Sequence, residues 1–423
     1  MSKSLYHIEL EKNHRWNSWM NTLDATFFQI GFVCFVPAVI IVAYLKHYTD
    51  NEMILNLPVF IANFFMSLGP LIMSFYSGRF KRKKRMTVLL GWWHRLAWLP
   101  VLPVVYFLSG NKTWIIPAFL IAYAFFYIAW SSGIIFWQEL IGRALVPERL
   151  SSAMGMRESI SRGVGFAASF AVMAILAKVA FPLNFLILFS ISFVSWLISL
   201  FWVQQIREAP YDEISDEKPS GHFKNLLTLP VKDVSFRWFI IFILFLYGHL
   251  YVGGLYTVAG IERFKDIVQP DQLTGVMNII TTLSACFFAF AAGKITERAG
   301  KFWSFLMFVV INILLPVLMN FCYSYPLYLG LLALSGVVNV IWLVEFTTTL
   351  GFSTPERRHE YLAVISFVKL IPIVIYTNLG GFLANTFSHD AAFMTSAAFS
   401  LAALLILVFK LRPLWKAQDA VND

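Results

Sequence analysis

The stretch GKITERAGK, residues 293–301, decides how this sequence is interpreted, because it forms a short basic turn between two long apolar runs. A similar turn, GRFKRKKR at residues 78–85, begins 215 residues earlier and again lies between apolar runs. The tripeptide Pro147-Glu148-Arg149 recurs 208 residues later as Pro355-Glu356-Arg357. Polar turns that repeat at half the chain length predict a duplicated bundle of membrane helices.

The composition supports a membrane protein. Of the 423 residues, 58% are hydrophobic and 13% are charged, and the mean hydropathy is +0.68, whereas soluble domains contain about 25% charged residues. A spanning helix needs about 20 apolar residues, and the sequence has twelve such runs, of which the tenth covers residues 326–350. We therefore predict an all-α polytopic membrane protein with about 12 transmembrane helices in two pseudo-symmetric six-helix bundles.

One long polar stretch divides the apolar runs six and six. It is rich in Pro, Gly and charged residues, a composition typical of a linker that buries little apolar surface. The predicted domains are an N-terminal six-helix bundle at 1–203, a cytoplasmic linker at 204–234 and a C-terminal six-helix bundle at 235–423.

The positions of the basic residues predict the orientation in the membrane. The net charge of +9 is concentrated in alternate connections between the apolar runs, including the two basic turns. This asymmetry follows the positive-inside rule and excludes nucleic acid as the partner. It predicts a multi-pass protein of the cytoplasmic (inner) membrane with both termini in the cytoplasm. Residues 1–15 are polar and resemble no cleaved signal, so the first span is expected to direct its own insertion.

The second basic turn resembles the motif Gly-x-x-x-Asp-Arg-x-Gly-Arg of the major facilitator superfamily, where it joins the second and third spans of each half. The matching residues are Gly293, Glu297, Arg298, Gly300 and Lys301, with Glu in place of Asp and Lys in place of the final Arg. In the family this turn latches the cytoplasmic side.

The first copy of the turn departs from the motif. After Gly78, the acidic position holds Arg82 and the second Gly position holds Arg85. The resemblance therefore implies a cytoplasmic gate with a complete set of residues only in the second half.

The resemblance implies a secondary active transporter that moves a small solute by alternating access, with proton coupling, no cofactor and a monomeric state. The lipid bilayer and a small-molecule substrate are the expected partners. An alternative is a proton-driven exporter of drugs or amphipathic compounds, although the Gly163-Val164-Gly165 segment lacks the proline of the exporter motif. A non-transporting membrane sensor or assembly partner is an alternative of another class. We expect no enzyme and no ATP-driven pump, because the chain has no phosphate-binding Gly-x-x-x-x-Gly-Lys-Ser/Thr loop.

Charged residues within the apolar runs are candidates for the site, because an ionised side chain in a bilayer costs about 2.5–3.5 kcal/mol on insertion scales. Glu139 and Arg162 flank the first Pro-Glu-Arg, and Glu345 and Lys369 flank the second at offsets of 206 and 207 residues. We predict that each acid and base form an ion pair, either one that breaks and reforms during transport or a static pair that fixes helix packing.

Three further residues are candidates for substrate binding or proton coupling. Asp24 and Arg95 are predicted to pair, since the first and third spans are neighbours in this family. Asp24 is a candidate proton carrier because burial raises the pKa of a carboxyl group, or alternatively a cap of the first helix. His249 in the seventh span is a candidate because imidazole titrates near neutral pH, although a packing role is equally compatible with its position.

Overall fold

The computed structural model describes residues 3–77, 80, 82–146, 149–208, 228–352 and 358–416. Gly78, most of the linker and most of both Pro-Glu-Arg turns lie outside these residues. The helices are α1 (Lys3–Val33), α2 (Val42–Lys46), α3 (Glu52–Ser77), α4 (Lys83–Leu96), α5 (Val101–Leu108), α6 (Lys112–Ala144), α7 (Leu150–Lys178), α8 (Leu183–Gln205), α9 (Val234–Leu246), α10 (Leu255–Phe264), α11 (Pro270–Ala299), α12 (Lys301–Asn320), α13 (Tyr325–Leu332), α14 (Ile341–Gly351), α15 (Arg358–Thr386) and α16 (His389–Ile406).

Eleven helical stretches among the described residues are long and apolar enough to cross a membrane. The tenth predicted run contains a change of helix type. There, the 3₁₀ segment Ala333–Val340 separates α13 from α14. Gly336 allows this segment to approach α11 closely, because a Cβ atom at this position would overlap Ser284. Hydropathy registers the apolar run but not this change of backbone geometry.

The seventh span is interrupted in the same way. The 3₁₀ segment Tyr247–Val252 separates α9 from α10 and is followed by Gly253 and Gly254. Glycine lowers helix stability, and Asn56 holds the open backbone by accepting a hydrogen bond from Gly254 N at 3.1 Å. The Asn56 Nδ2 donates in turn to Thr377 O at 2.7 Å. The break in this helix is thus fixed by side-chain hydrogen bonds.

The chain divides into two compact units that only partly follow the predicted bundles. Unit 1 comprises 1–48, 65–217 and 271–282, and unit 2 comprises 49–64, 218–270 and 283–423. The first part of α11 thus belongs to unit 1 and its remainder to unit 2. The first part of α3 belongs to unit 2 and its remainder to unit 1. The domain boundaries at 203 and 235 remain a prediction.

Unit 1 is built around aromatic side chains. Its α1 packs along α7 and α8, and α4 packs on α6 and α8. Phe35 is fully buried and meets Trp98 and Trp196 edge to face at 5.1 and 5.2 Å between ring centroids. Such edge-to-face pairs contribute about 0.5–1.5 kcal/mol beyond the area that they bury.

In unit 2, α16 packs on α12, and both α15 and α16 pack on the Tyr247–Val252 segment. The approach of α15 is close because Gly380 has no side chain. A Cβ atom there would overlap the backbone of Tyr251. Small residues allow this kind of close approach between membrane helices.

The Gly380→Ala substitution is expected to destabilise unit 2 by about 1–3 kcal/mol, the usual cost of overpacking. Without the contact to Tyr251, replacing a mid-helix glycine by alanine would stabilise the helix by about 0.5–1 kcal/mol. Destabilisation would therefore show that the contact is present. Gly330→Ala in α13 is the matched control, because no heavy atom lies within 4 Å of its Cβ position. Thermal unfolding of the two variants in detergent measures the difference, and equal melting temperatures would contradict the prediction.

Candidate functional site

The first cluster of site residues lies in unit 2 and is centred on Glu345. The Lys369 Nζ lies 2.8 Å from Glu345 Oε1, and the Tyr247 hydroxyl donates to Glu345 Oε2 at 2.8 Å. The Glu345 side chain is buried, whereas 19% of the Lys369 side chain is exposed. Both carboxylate oxygens therefore have a donor, and the Lys369 side chain is only partly buried.

Helix geometry positions these three side chains. Tyr247 begins the 3₁₀ segment that interrupts the seventh span, and Glu345 lies on α14, directly after the 3₁₀ segment of the tenth run. Lys369 lies on α15, three residues before Pro372. Irregular backbone at membrane depth is tolerated where it is buried in protein or lines a cavity, and discontinuous helices build the binding sites of many transporters.

His249 is placed beside this cluster but is not part of its ion pair. Its ring centroid lies 5.3 Å from that of Tyr247, and its Nδ1 lies 3.2 Å from Leu246 O. The carbonyl can only accept, so Nδ1 carries a proton, and Nε2 is the nitrogen that can gain or lose one.

The second cluster lies in unit 1 and joins Asp24 to Arg95 through a serine. The Ser199 hydroxyl donates to Asp24 Oδ1 at 2.6 Å and accepts from Arg95 Nη2 at 2.9 Å. All three side chains are buried. Asp24 of α1 and Arg95 of α4 are therefore linked through the hydroxyl of Ser199 on α8, whereas a direct pair was predicted. We call this the Asp24–Ser199–Arg95 relay.

The remaining donors of Arg95 bind backbone and a histidine. Its Nε donates to Trp196 O at 2.9 Å, and its Nη1 lies 3.1 Å from His94 Nδ1. Arginine has no acceptor, so His94 accepts at Nδ1 and carries its proton at Nε2. That Nε2 is buried without a hydrogen-bond partner among the described residues, and the ring stacks on Trp130 at 5.5 Å.

The predicted pair of Glu139 with Arg162 is wrong. Arg162 Nε instead lies 3.1 Å from Glu158 Oε2, and Glu139 pairs with Lys83. Glu158 lies four residues before Arg162 on the same helix face, where opposite charges meet without any tertiary constraint. The acid–base pair of the second half is therefore not repeated in the first.

The basic turn of the second half joins α11 to α12. Gly300 has a φ of 89°, a conformation that favours glycine, and so ends one helix and begins the next. Lys301 Nζ lies 4.6 Å from the ring centroid of Trp415, a cation–π contact. Arg298 is exposed, no heavy atom lies within 4 Å of the Cβ position of Gly293, and the Glu297 side chain is outside the described part of the chain. The latch thus remains a prediction.

Sequence reasoning missed Ser199 as the link between Asp24 and Arg95, and it did not connect Tyr247 to Glu345. Serine in an apolar helix commonly bonds its own backbone, so its type alone carries no signal. No spacing in the sequence pointed from Tyr247 to a particular carboxylate.

No family model and no curated protein sequence matches the chain. Solved structures do match over almost the whole length. One is a bacterial homologue of the iron transporter ferroportin in an inward-facing state, with 16% identity, a TM-score of 0.66, and coverage of 92% of this chain and 97% of that chain. A D-xylose–proton symporter matches with 12% identity, a TM-score of 0.67, and coverage of 93% and 97%.

A third match is the human organic anion transporter MFSD10, with 13% identity, a TM-score of 0.64, and coverage of 93% of this chain and 99% of that chain. At these identities the likeness establishes the fold alone. The chain is a multi-pass membrane protein with the fold of the major facilitator superfamily transporters. This confirms the predicted all-α polytopic fold and the family resemblance.

Proposed function

We propose that the protein is a secondary active transporter that moves a small solute across the cytoplasmic membrane by alternating access, coupled to protons. The observation that carries this proposal is the ion pair between Glu345 and Lys369 beside two interrupted helices. Charged groups within apolar helices are costly and in membrane proteins commonly serve ion or substrate pathways. The fold, shared with a proton symporter and an organic anion transporter, supports the same class.

Glu345 is the proposed proton site, and its two partners give the reason. As a carboxylate it accepts from both Lys369 and Tyr247. A proton on Glu345 converts one of its oxygens into a donor and removes the charge that attracts the ammonium group. Lys369 then has a positive charge without its carboxylate partner.

The substrate class follows from this exchange. The ammonium group of Lys369, whose side chain is partly exposed, would bind a carboxylate or another anionic group of the solute when Glu345 is protonated. Proton binding and anion binding then favour each other. This is the requirement for the proton and the anion to cross the membrane together in the same direction. We therefore propose a small organic anion or zwitterion as the solute.

The Glu345→Gln variant tests the coupling. Glutamine resembles the protonated acid but cannot release the proton. In proteoliposomes with an imposed pH gradient, a panel of radiolabelled organic acids and amino acids first identifies a solute that wild-type protein accumulates. Glu345→Gln should lose that accumulation while keeping solute counterflow, the exchange of labelled for unlabelled solute without a gradient. Glu11→Gln, which alters an exposed carboxylate paired with Arg149 at 3.2 Å, should leave both unchanged.

Two results would contradict the proposal at different levels. Accumulation by Glu345→Gln at the wild-type rate would show that the proton binds elsewhere. The absence of counterflow for every solute with wild-type protein would instead favour a non-transporting sensor or assembly partner.

A further inference from the structure

Three helix ends in unit 2 bring together two carboxylates and an imidazole outside the cluster described above. Glu52 begins α3, Glu262 lies in the last turn of α10, and His389 begins α16. His389 Nε2 lies 3.2 Å from Glu52 Oε1, and His389 Nδ1 lies 4.0 Å from Glu262 Oε2. One potential ligand atom from each residue lies within 4.8 Å of the others.

Two buried atoms of this group have no hydrogen-bond partner within the described ranges. They are Glu52 Oε2 and His389 Nε2, the latter close to the Glu52 carboxylate but outside hydrogen-bonding geometry. Glu52 itself is only 6% exposed. A buried acceptor without a donor is costly, and a carboxylate in this position gains most from a cation.

Carboxylates predominate among the charged side chains that lie around His389 in these contacts. Asp390 adds a third carboxylate and lies 3.8 Å from Arg263 Nη2, and Arg263 Nη1 also donates to Met319 O at 2.6 Å. Arg263 is directed to Asp390 and to backbone, and the carboxylates of Glu52 and Glu262 both lie beside the His389 imidazole. An excess of negative charge around a nitrogen ligand favours a divalent cation.

We propose that Glu52, Glu262 and His389 bind a divalent transition-metal ion of the Zn²⁺ type. Carboxylate oxygen and imidazole nitrogen are both ligands of Zn²⁺, whereas Mg²⁺ and Ca²⁺ prefer oxygen alone. A bound ion would join the beginnings of α3 and α16 to the end of α10. This site does not depend on the proposed transport activity.

Unit 1 contains a related group that serves as an internal comparison. His47 Nε2 lies 2.9 Å from Asp271 Oδ1, and Asn184 Nδ2 donates to Asp271 Oδ2 at 2.6 Å. Here both carboxylate oxygens have a partner, and an amide stands where unit 2 has a second carboxylate. We therefore expect no metal ion at His47.

Isothermal titration of the full-length protein in detergent with ZnCl₂ tests the proposal, with an affinity tag that contains no histidine. Wild-type protein should bind one Zn²⁺ that excess Mg²⁺ does not displace. His389→Gln and Glu52→Gln should each weaken this binding by at least about tenfold, the lower range seen when even indirect partners of a metal are removed. Glu262→Gln alters a side chain that is 41% exposed and so tests the site with little risk to folding.

His47→Gln is the control and should bind Zn²⁺ as wild-type protein does. The proposal is overturned if wild-type protein shows no saturable Zn²⁺ binding. It is equally overturned if His389→Gln and Glu262→Gln, both folded by their melting temperatures, retain the wild-type affinity, since the ion then binds elsewhere.

Discussion

The Lys369→Glu substitution is expected to abolish transport and to lower the melting temperature in detergent. It would place two carboxylates where an ammonium nitrogen now lies 2.8 Å from Glu345 Oε1. Removing one partner from a buried ion pair typically costs about 3–5 kcal/mol, because the other charge is left without compensation. Glu345→Lys should have the same effect, since it would bring two ammonium groups together.

The double variant Glu345→Lys/Lys369→Glu is expected to recover both the melting temperature and a substantial part of counterflow. The pair is then reversed, and the Tyr247 hydroxyl, which now donates to Glu345, can accept from a lysine instead. A double variant that is as inactive and unstable as the single variants would reject the pair as a functional unit.

An exposed ion pair provides the control for charge reversal. Glu11 and Arg149 lie 3.2 Å apart with side chains that are 54% and 60% exposed. Exposed pairs contribute only about 0–1 kcal/mol, so Arg149→Glu should change the melting temperature little. A double variant that regains the wild-type melting temperature but not counterflow would assign Glu345 and Lys369 a purely structural role.

The Arg95→Met substitution is expected to lower the free energy of unfolding of unit 1 by about 1–3 kcal/mol, the cost of leaving buried acceptors without a donor. The loss would remove one of the two cations that act on the buried Asp24 carboxylate, Arg157 being the other, and it would remove the donors to Trp196 O and Ser199 Oγ. Methionine retains much of the side-chain volume, so the effect reports on charge and hydrogen bonding. The rate at which buried Cys34 becomes accessible to a thiol-reactive dye on heating measures this stability.

Adding Asp24→Asn to the Arg95→Met protein identifies why the free energy of unfolding is lowered. In the Arg95→Met background it removes the buried charge that Arg95 no longer balances, so the double variant should unfold at a higher temperature than Arg95→Met alone. Arg149→Met is the control because its side chain is exposed. An Arg95→Met protein that melts with the wild type would contradict a stabilising role for the Asp24–Ser199–Arg95 relay.

The ion pair of the second half was accessible to sequence reasoning, and that of the first half was not. Glu345 and Lys369 stand at matched distances from a repeated tripeptide, and they meet in unit 2. Glu139 and Arg162 have the same spacing, but each meets a nearer partner, Lys83 in one case and Glu158 in the other. A repeat predicts equivalent backbone positions, whereas pairing depends on every charge within reach.

The amino-acid sequence by itself determined that this is a polytopic helical membrane protein, and its repeated turns predicted a duplicated plan. The free energy of transferring an apolar run into lipid depends on local composition, and the turn at 293–301 and its earlier counterpart are also local features. The tertiary structure alone decided that the seventh and tenth runs are interrupted, that Ser199 joins Asp24 to Arg95, and that Glu52, Glu262 and His389 converge. These features depend on contacts between residues far apart in the chain, which neither hydropathy nor spacing encodes.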